Sequence, residues 1–484
     1  MPAPSEVPAA LVLFRRNLRL DDNRALDAAL RAAGTVVPVF VLDDHTLTED
    51  FSPPRLAFLA ESLRELAKAL DARGSRLVVR KGPVGDALAA LARETGADAV
   101  FTHKDHEPHG RELLASARVT LEESGVALHA VEDLLLVPPD ALATEAGKPF
   151  TVYTPFSRRW LERDKEAPVP EPPLIPTPDA VRAPTFPSIA LDRPRGLREV
   201  GAPENPRGGS REARRVWNAF RDSALLHYAP ERDRPDLPGT SRLSPHLHFG
   251  TIGIRRVLAE AKDVWKAASP AGRTSVETFI KELAWREFYA GVLFHHPRVL
   301  TENFRAEFDA FPWRRGADAD RLFAAWAAGR TGYPIVDAGI RQLLAEGWMH
   351  NRVRMIVASF LTKDLLVDWR RGESFFRRHL VDGDPASNAG GWQWAAGSGT
   401  DAQPFFRIFN PVLQGRKFDP DAAYVKRWIP ELADSAAAPC DVHAPWTLET
   451  PPKDYPAPVV DHAAARAQAL AAFSKLKSAA PKKS

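Results

Sequence analysis

From residue 9 to residue 133 the chain alternates short apolar runs with amphipathic ones, and that alternation limits the possible folds more than any other feature. Residues 10–14, 36–42, 77–80, 99–102 and 126–130 read as buried strands, while 55–70, 84–94 and 111–123 carry helical spacing. Buried strands regularly separated by helices imply a parallel sheet with both faces covered. Gly74, Gly96 and Gly125 fall where these helices should stop. No GxGxxG follows the first strand, so the dinucleotide fingerprint is absent.

Residues 134–205 are rich in proline, as in APVPEPP at 167–173, and only weakly periodic. They read as a connector wrapped over a surface rather than a third domain. From 206 to about 435 the pattern turns helical, clearest at 210–228, 276–294 and 335–344. The tail, 464–484, reads as one short helix with a lysine-rich end. The expected fold is therefore α/β plus all-α. A Rossmann-like parallel-sheet domain (8–133) is followed by a long connector (134–205) and a helical domain (206–476).

The 484 residues suffice for two to three domains, and 44% hydrophobic with 26% charged residues is ordinary for a soluble chain. No run of eighteen apolar residues occurs, and no basic segment precedes the first apolar one, which argues against a membrane span or a signal peptide. The single cysteine, Cys440, excludes an intramolecular disulfide and suits a reducing cytoplasm. A net charge of +3 announces no nucleic-acid binder, so a local basic patch would have to supply such binding. Neither CxxC nor HExxH is present, and no metal is expected. His103, His106 and His109 are spaced by three and read as a loop after the fourth strand.

The stretch 382–411, DGDPASNAGGWQWAAGSGTDAQPFFRIFNP, holds five glycines, three acids and two tryptophans one residue apart. It is too glycine-rich for a regular amphipathic helix and too apolar for a solvated linker. Glycine allows close approach to a flat ligand, acids bind hydroxyls or cations, and indoles offer polarizable surface. Composition alone leaves two readings open, a ligand site in a loop or a packed irregular core.

This stretch closely resembles the flavin loop of the photolyase/cryptochrome family, in the form typical of class I cyclobutane pyrimidine dimer photolyases. GTSRLSP at 239–245, ELAWREFY at 282–289, TGYPIVD at 331–337 and GWMHNRVRM at 347–355 resemble further family signatures and occur in the expected order. The resemblance covers nearly the whole chain, weakest between about 134 and 205 and after about 446. It implies a helical domain that holds FAD, an antenna chromophore on the α/β domain, and light-driven repair of UV-damaged DNA by a monomer.

Residue by residue, the resemblance implies a flavin site made of Tyr228, Thr240, Ser241, Arg242, Leu243, Ser244, Phe279, Arg286, Arg354, Asp382, Asp384 and Asn388. Thr240 to Ser244 match phosphate and ribityl contacts. Arg354 and Asp382 match a pair beside the isoalloxazine, where a guanidinium favours an anionic reduced ring. Asn388 matches the residue facing flavin N5. Trp392, Trp369 and Trp313 match an electron-transfer triad running from flavin to surface. Glu282, Trp285, Asn351, Met355 and Trp394 match contacts to a flipped-out dimer, while Arg232, Arg352, Arg407 and Gln414 match contacts to DNA.

Each residue also has a plainer reading when taken alone. TSRLSP is a helix cap and turn, Arg354–Asp382 a structural ion pair, and Asn388 a turn former. The tryptophans are ordinary core, Glu282 and Trp285 a core helix face with a Glu282–Arg286 pair, and the arginines solvated charges. Asn388, Trp394 and the short tail favour repair over a signalling cryptochrome. Asn351 stands where pyrimidine–pyrimidone photoproduct photolyases carry histidine. DHEPHGR at 105–111 resembles the loop of deazaflavin-binding relatives more than that of folate-binding ones, so 8-hydroxydeazaflavin is favoured over methenyltetrahydrofolate.

Overall fold

The structure, a computed structural model, describes residues 7–44, 52–189, 206–402, 404–405 and 407–479. Among them the N-terminal part forms one parallel five-stranded sheet in the order β3-β2-β1-β4-β5. The strands are β1 (Val7–Phe14), β2 (Ala33–Leu42), β3 (Val78–Lys81), β4 (Ala99–His103) and β5 (Ala127–Val131). Helices Pro53–Asp71, Val84–Thr95 and Pro108–Glu123 cross between them as the spacing predicts. A further helix, Arg24–Ala32, joins β1 to β2 and escaped the sequence reading. It is nine residues long and starts at Asn23, whose side chain accepts from the Leu26 N–H.

Gly74, Gly96 and Gly125 adopt φ of +72°, +67° and +72°, the left-handed turn-out that ends each helix without a Cβ penalty. The sheet is buried on both faces, with Ala10, Val12, Phe14 and Val36 in one layer and Leu11, Leu13, Val37 and Val39 in the other.

The rest of the described chain is helical. Two large cores meet here, one around Trp217, Phe279, Phe288 and Trp160, the other around Trp326, Trp369, Trp392 and Tyr424. The 134–205 stretch, of which 190–205 lie outside the described residues, is tied into the first core. Its helix Tyr153–Glu162 buries Phe156 and Trp160, and the Trp160 indole donates to Glu287 at 2.6 Å. The tail forms the helix His462–Ala479, with 480–484 outside the described residues. No described helix is long and apolar enough to cross a membrane.

The stretch 382–411 departs from its reading as irregular. Twelve of its residues, Pro385–Ala396, form a helix, capped by Asp384 on the Ser387 N–H at 2.9 Å and ended at Gly397 with φ +86°. Gln403 and Phe406 lie outside the described residues. A Cβ on Gly390 would lie 2.2 Å from the Tyr289 ring, so glycine is what lets this helix press against Pro270–His295.

The two parts of the chain dock through the loop after β1. Gly250, at φ +65° after the helix Ser244–Phe249, leaves no room for a Cβ, which would lie 1.9 Å from the Arg16 carbonyl oxygen. Gly250→Ala should therefore combine left-handed strain with a backbone clash, costing about 2–3 kcal/mol. Gly291→Ala, helical and with open space at its Cβ, should be neutral or stabilising by roughly 0.5–1 kcal/mol. Thermal melting of the two variants checks this, and equal midpoints would contradict it.

Candidate functional site

The helical part encloses a cavity of about 490 Å³, within the range of ligand sites. Four segments build it. Pro270–His295 presents Phe279, Glu282, Trp285, Arg286 and Tyr289, spaced three and four apart and so on one face. Asn351–Ser359 presents Asn351, Arg354, Met355 and Ala358 by the same spacing. Pro385–Ala396 presents Asn388, Trp392 and Trp394, and the turn before Ser244–Phe249 supplies Ser241, Leu243 and Ser244.

Most of the residues singled out in the sequence meet in this one space. Tyr228, Arg232, Arg352, Asp382 and Asp384 also line it. Thr240 and Arg242 do not line it. Arg242 turns to Glu346 at 3.2 Å and lies over Trp348 at 4.1 Å, in a backbone conformation of φ +50°. Arg407 and Gln414 also stand apart from the cavity wall. The Lys363 ammonium donates to the Arg407 carbonyl at 3.0 Å, and Gln414 sits on the helix Pro411–Phe418.

Arg354 grips Asp382 through two nitrogens, at 2.8 and 3.4 Å, the fork geometry of a bidentate pair. The network orients Asn388 so that its amide nitrogen donates to the Glu373 backbone oxygen at 3.1 Å and carboxylate at 2.8 Å. Its carbonyl oxygen is then the group left to accept from a ligand. Trp392 is 2% exposed and its indole N–H is buried without a partner in the cavity wall. An orphan donor, an acceptor amide, a paired guanidinium and flat apolar walls fit a tricyclic ring with polar edges.

Glu282 pairs with Arg232 at 2.6 Å and not with Arg286, which donates instead to the Leu134 and Leu247 carbonyls. Burial pushes the Glu282 carboxyl above its usual range, and Arg232 opposes that push. His350 ends the approach to the Asn351 helix as its cap, and burial lowers its pKa to about 4, so it is neutral near pH 7.

The α/β part contributes two arginines that no local pattern revealed. Arg16 reaches Asp384 at 3.3 Å, and it also pairs with Glu107. Arg55 donates to the Arg377 and Leu380 carbonyls and fills the space a Cβ on Gly383 would need. Burial disfavours ionised Asp384, but His248 hydrogen bonding and the Arg16 and Arg286 charges outweigh it and hold the carboxyl well below its usual range. Of the three histidines near the fourth strand, His103 ends β4, His106 is in the loop, and His109 begins the next helix. Among the described residues no cluster of His, Cys, Asp or Glu could hold a metal.

Trp392 and Trp369 lie in the same core, and Trp313 packs partly buried against it. Gly372, three residues after Trp369, allows contact with Trp392, since a Cβ there would lie 2.1 Å from the indole. The Trp369 N–H donates to Asn303 at 2.9 Å. Trp326 meets Trp392 edge-on with centroids 6.0 Å apart, a neighbour the motifs did not indicate.

A family model described as the FAD binding domain of DNA photolyase matches residues 279–475, and one described as DNA photolyase matches 10–174. The chain is 43% identical to the deoxyribodipyrimidine photo-lyase of Halobacterium salinarum, covering 96% of this chain and 98% of that one. A bacterial class III photolyase from Agrobacterium tumefaciens superposes with a TM-score of 0.90 at 40% identity, over 99% of both chains. An archaeal photolyase from Sulfolobus tokodaii, described with two FAD molecules, gives 0.83 at 32% identity, over 96% of this chain and 100% of that one. The chain belongs to the photolyase/cryptochrome family. It has the N-terminal α/β domain and the helical FAD-binding domain of that family. Its enzyme class is that of the deoxyribodipyrimidine photo-lyases.

The Glu282–Arg232 geometry carries its own test. Removing the cation in Arg232→Met removes the influence that lowers the Glu282 pKa, so its protonation midpoint should move upward. Infrared titration of the Glu282 carboxyl stretch checks the sign, and an unmoved or lowered midpoint would contradict the pairing.

Proposed function

We propose that the chain repairs cyclobutane pyrimidine dimers in DNA, driven by blue or near-ultraviolet light, with FAD and the flipped-out lesion sharing the 490 Å³ cavity. The observation that carries this is the continuity of the cavity. Ser241, Arg354, Asp382, Asn388 and Trp392 line it together with Glu282, Trp285, Met355 and Trp394. When bound, FAD supplies the light-driven electron that opens and returns from the dimer.

The chain's own residues bind and orient. Ser241 and Ser244 hold the phosphates ahead of a short helix, while Arg354 and Asp382 fix the ring edge. Asn388 accepts a hydrogen bond from the ring edge. Trp285 and Trp394 cover the apolar faces of the two bases, and Glu282 meets their imide edges. Tyr228, Phe279, Arg286 and Asp384 complete the flavin wall, with Thr240 and Arg242 shaping the turn from behind. Asn351 and Met355 line the lesion end. Arg232 and Arg352 hold phosphates at the mouth, while Arg407 and Gln414 act as outer contacts to the backbone.

The second chromophore is proposed to occupy a cleft of about 310 Å³ lined by His106, Arg111, Arg118, Glu132 and Phe294. Arg111 lies 4.6 Å over the Phe294 ring, a flat charged wall that suits 8-hydroxydeazaflavin ahead of methenyltetrahydrofolate. The class I form stands as a proposal beside the class III form named for the Agrobacterium relative. The division at 8–133, 134–205 and 206–476, a monomeric state and a cytoplasmic setting are proposed on the sequence grounds given above.

Glu282→Ala should lower the repair yield of dimer-bearing DNA roughly threefold or more, the scale of one lost ordinary hydrogen bond, while flavin content stays near wild type. Loss of flavin with intact yield per bound flavin would make Glu282 a structural residue. Trp369→Phe should block photoreduction of the oxidised protein yet leave repair by chemically reduced protein unchanged. Photoreduction at the wild-type rate, followed by absorbance under blue light, would remove Trp369 from the electron path.

A further inference from the structure

Trp285 does not stand alone in the wall of the cavity. Tyr153, more than a hundred residues earlier and in the proline-rich connector, lies flat against it with centroids 3.6 Å apart and planes 6° from parallel. The same tyrosine meets Phe288 edge-on at 5.8 Å. Trp285 lines the cavity and Tyr153 does not, so the tyrosine covers the indole face that the cavity leaves unused. A face-to-face contact this close fixes both the height and the tilt of the indole plane.

Three hydrogen bonds hold Tyr153 in place. Its hydroxyl donates to the Lys281 carbonyl at 2.8 Å, one turn before Trp285 on the same helix. Its backbone N–H donates to the Asp401 carboxylate at 3.1 Å, and the Thr400 hydroxyl donates to the Thr151 carbonyl at 2.5 Å. Asp401 is held at φ +46°, a conformation rare outside glycine. The connector at 151–153 is thus pinned to the helix that carries Trp285 and to the loop that follows Trp394.

We infer that Tyr153 is a positioning residue for lesion recognition, setting the plane of Trp285 so that only its opposite face receives the flipped-out base. This rests on the assignment of Trp285 as a lesion contact. Without Tyr153 the indole gains rotamer freedom that binding must then remove. Free energy is lost from damaged DNA alone, because undamaged duplex sends no base into the cavity.

The test compares Tyr153→Phe, Tyr153→Ala, Trp285→Ala and the double variant Tyr153→Ala/Trp285→Ala, each as flavin-loaded full-length protein. Dark binding to duplexes with and without one cyclobutane dimer is measured, with flavin content and thermal midpoint alongside. Tyr153→Ala should weaken dimer binding by about three- to tenfold, with undamaged duplex within about twofold and flavin content unchanged. Tyr153→Phe, which keeps the ring, should recover affinity to within about twofold. The double variant should bind no more weakly than Trp285→Ala, since Tyr153 acts through that indole. Wild-type dimer affinity in Tyr153→Ala beside weakened Trp285→Ala would overturn the inference alone. Equal losses on damaged and undamaged DNA, or additive losses in the double variant, would overturn it too. Unchanged affinity in Trp285→Ala would remove the lesion assignment itself, and the inference with it.

Discussion

The helix that carries Asn388, Trp392 and Trp394 begins at a carboxylate shared by both halves of the molecule. Asp384 caps it through the Ser387 N–H at 2.9 Å, receives Arg16 from the α/β part at 3.3 Å, and stands 3.6 Å from His248. His248 is held neutral by burial, with a pKa of about 4, so it adds no second ion pair there. Burying a charge is costly unless it is paired and hydrogen-bonded, and Asp384 has both. The consequence is architectural. The α/β part cannot move away without leaving a carboxylate unpaired at the cap of the cavity helix. The cavity is therefore a product of the whole chain, although all the residues lining it belong to the helical part.

How much of this was legible in the sequence depended on whether the signal was local. The strands, the three crossover helices and the glycines that stop them were readable because each depends on its own neighbours. The helix Pro385–Ala396 was not, since periodicity detects helices with one wet face and this one is covered on several. Gly390, which counts against a helix by propensity, is there because Tyr289 presses on it. The motifs name many of the residues that line the cavity, yet the sequence could not show Arg16 beside Asp384, 368 positions away. Nor could it show Arg55 under Gly383, or Tyr153 behind Trp285. Such contacts are made by the fold, and no spacing encodes them. The plainer reading of Glu282, an ion pair with Arg286 one turn away on its helix, gives way for the same reason to a pair with Arg232, brought there by the fold.

The near-neutral charge of the chain also takes on meaning at the cavity mouth. Arg232 pairs with Glu282 and Arg352 with Asp233 at 2.9 Å, so neither is an unpaired cation awaiting phosphate. These pairs are partly exposed, where an ion pair is worth little and can be exchanged. A phosphate arriving there competes with a carboxylate and gains only the difference. Undamaged duplex, which offers phosphates alone, then gains little from the site. In the proposed repair reading, a flipped lesion adds burial of two bases between Trp285 and Trp394, both of which line the cavity. Weak electrostatics at the rim and strong stacking inside are what an enzyme needs when its target is a rare shape and not a sequence. The acids that neutralise the rim are on this view as much a part of recognition as the arginines they hold.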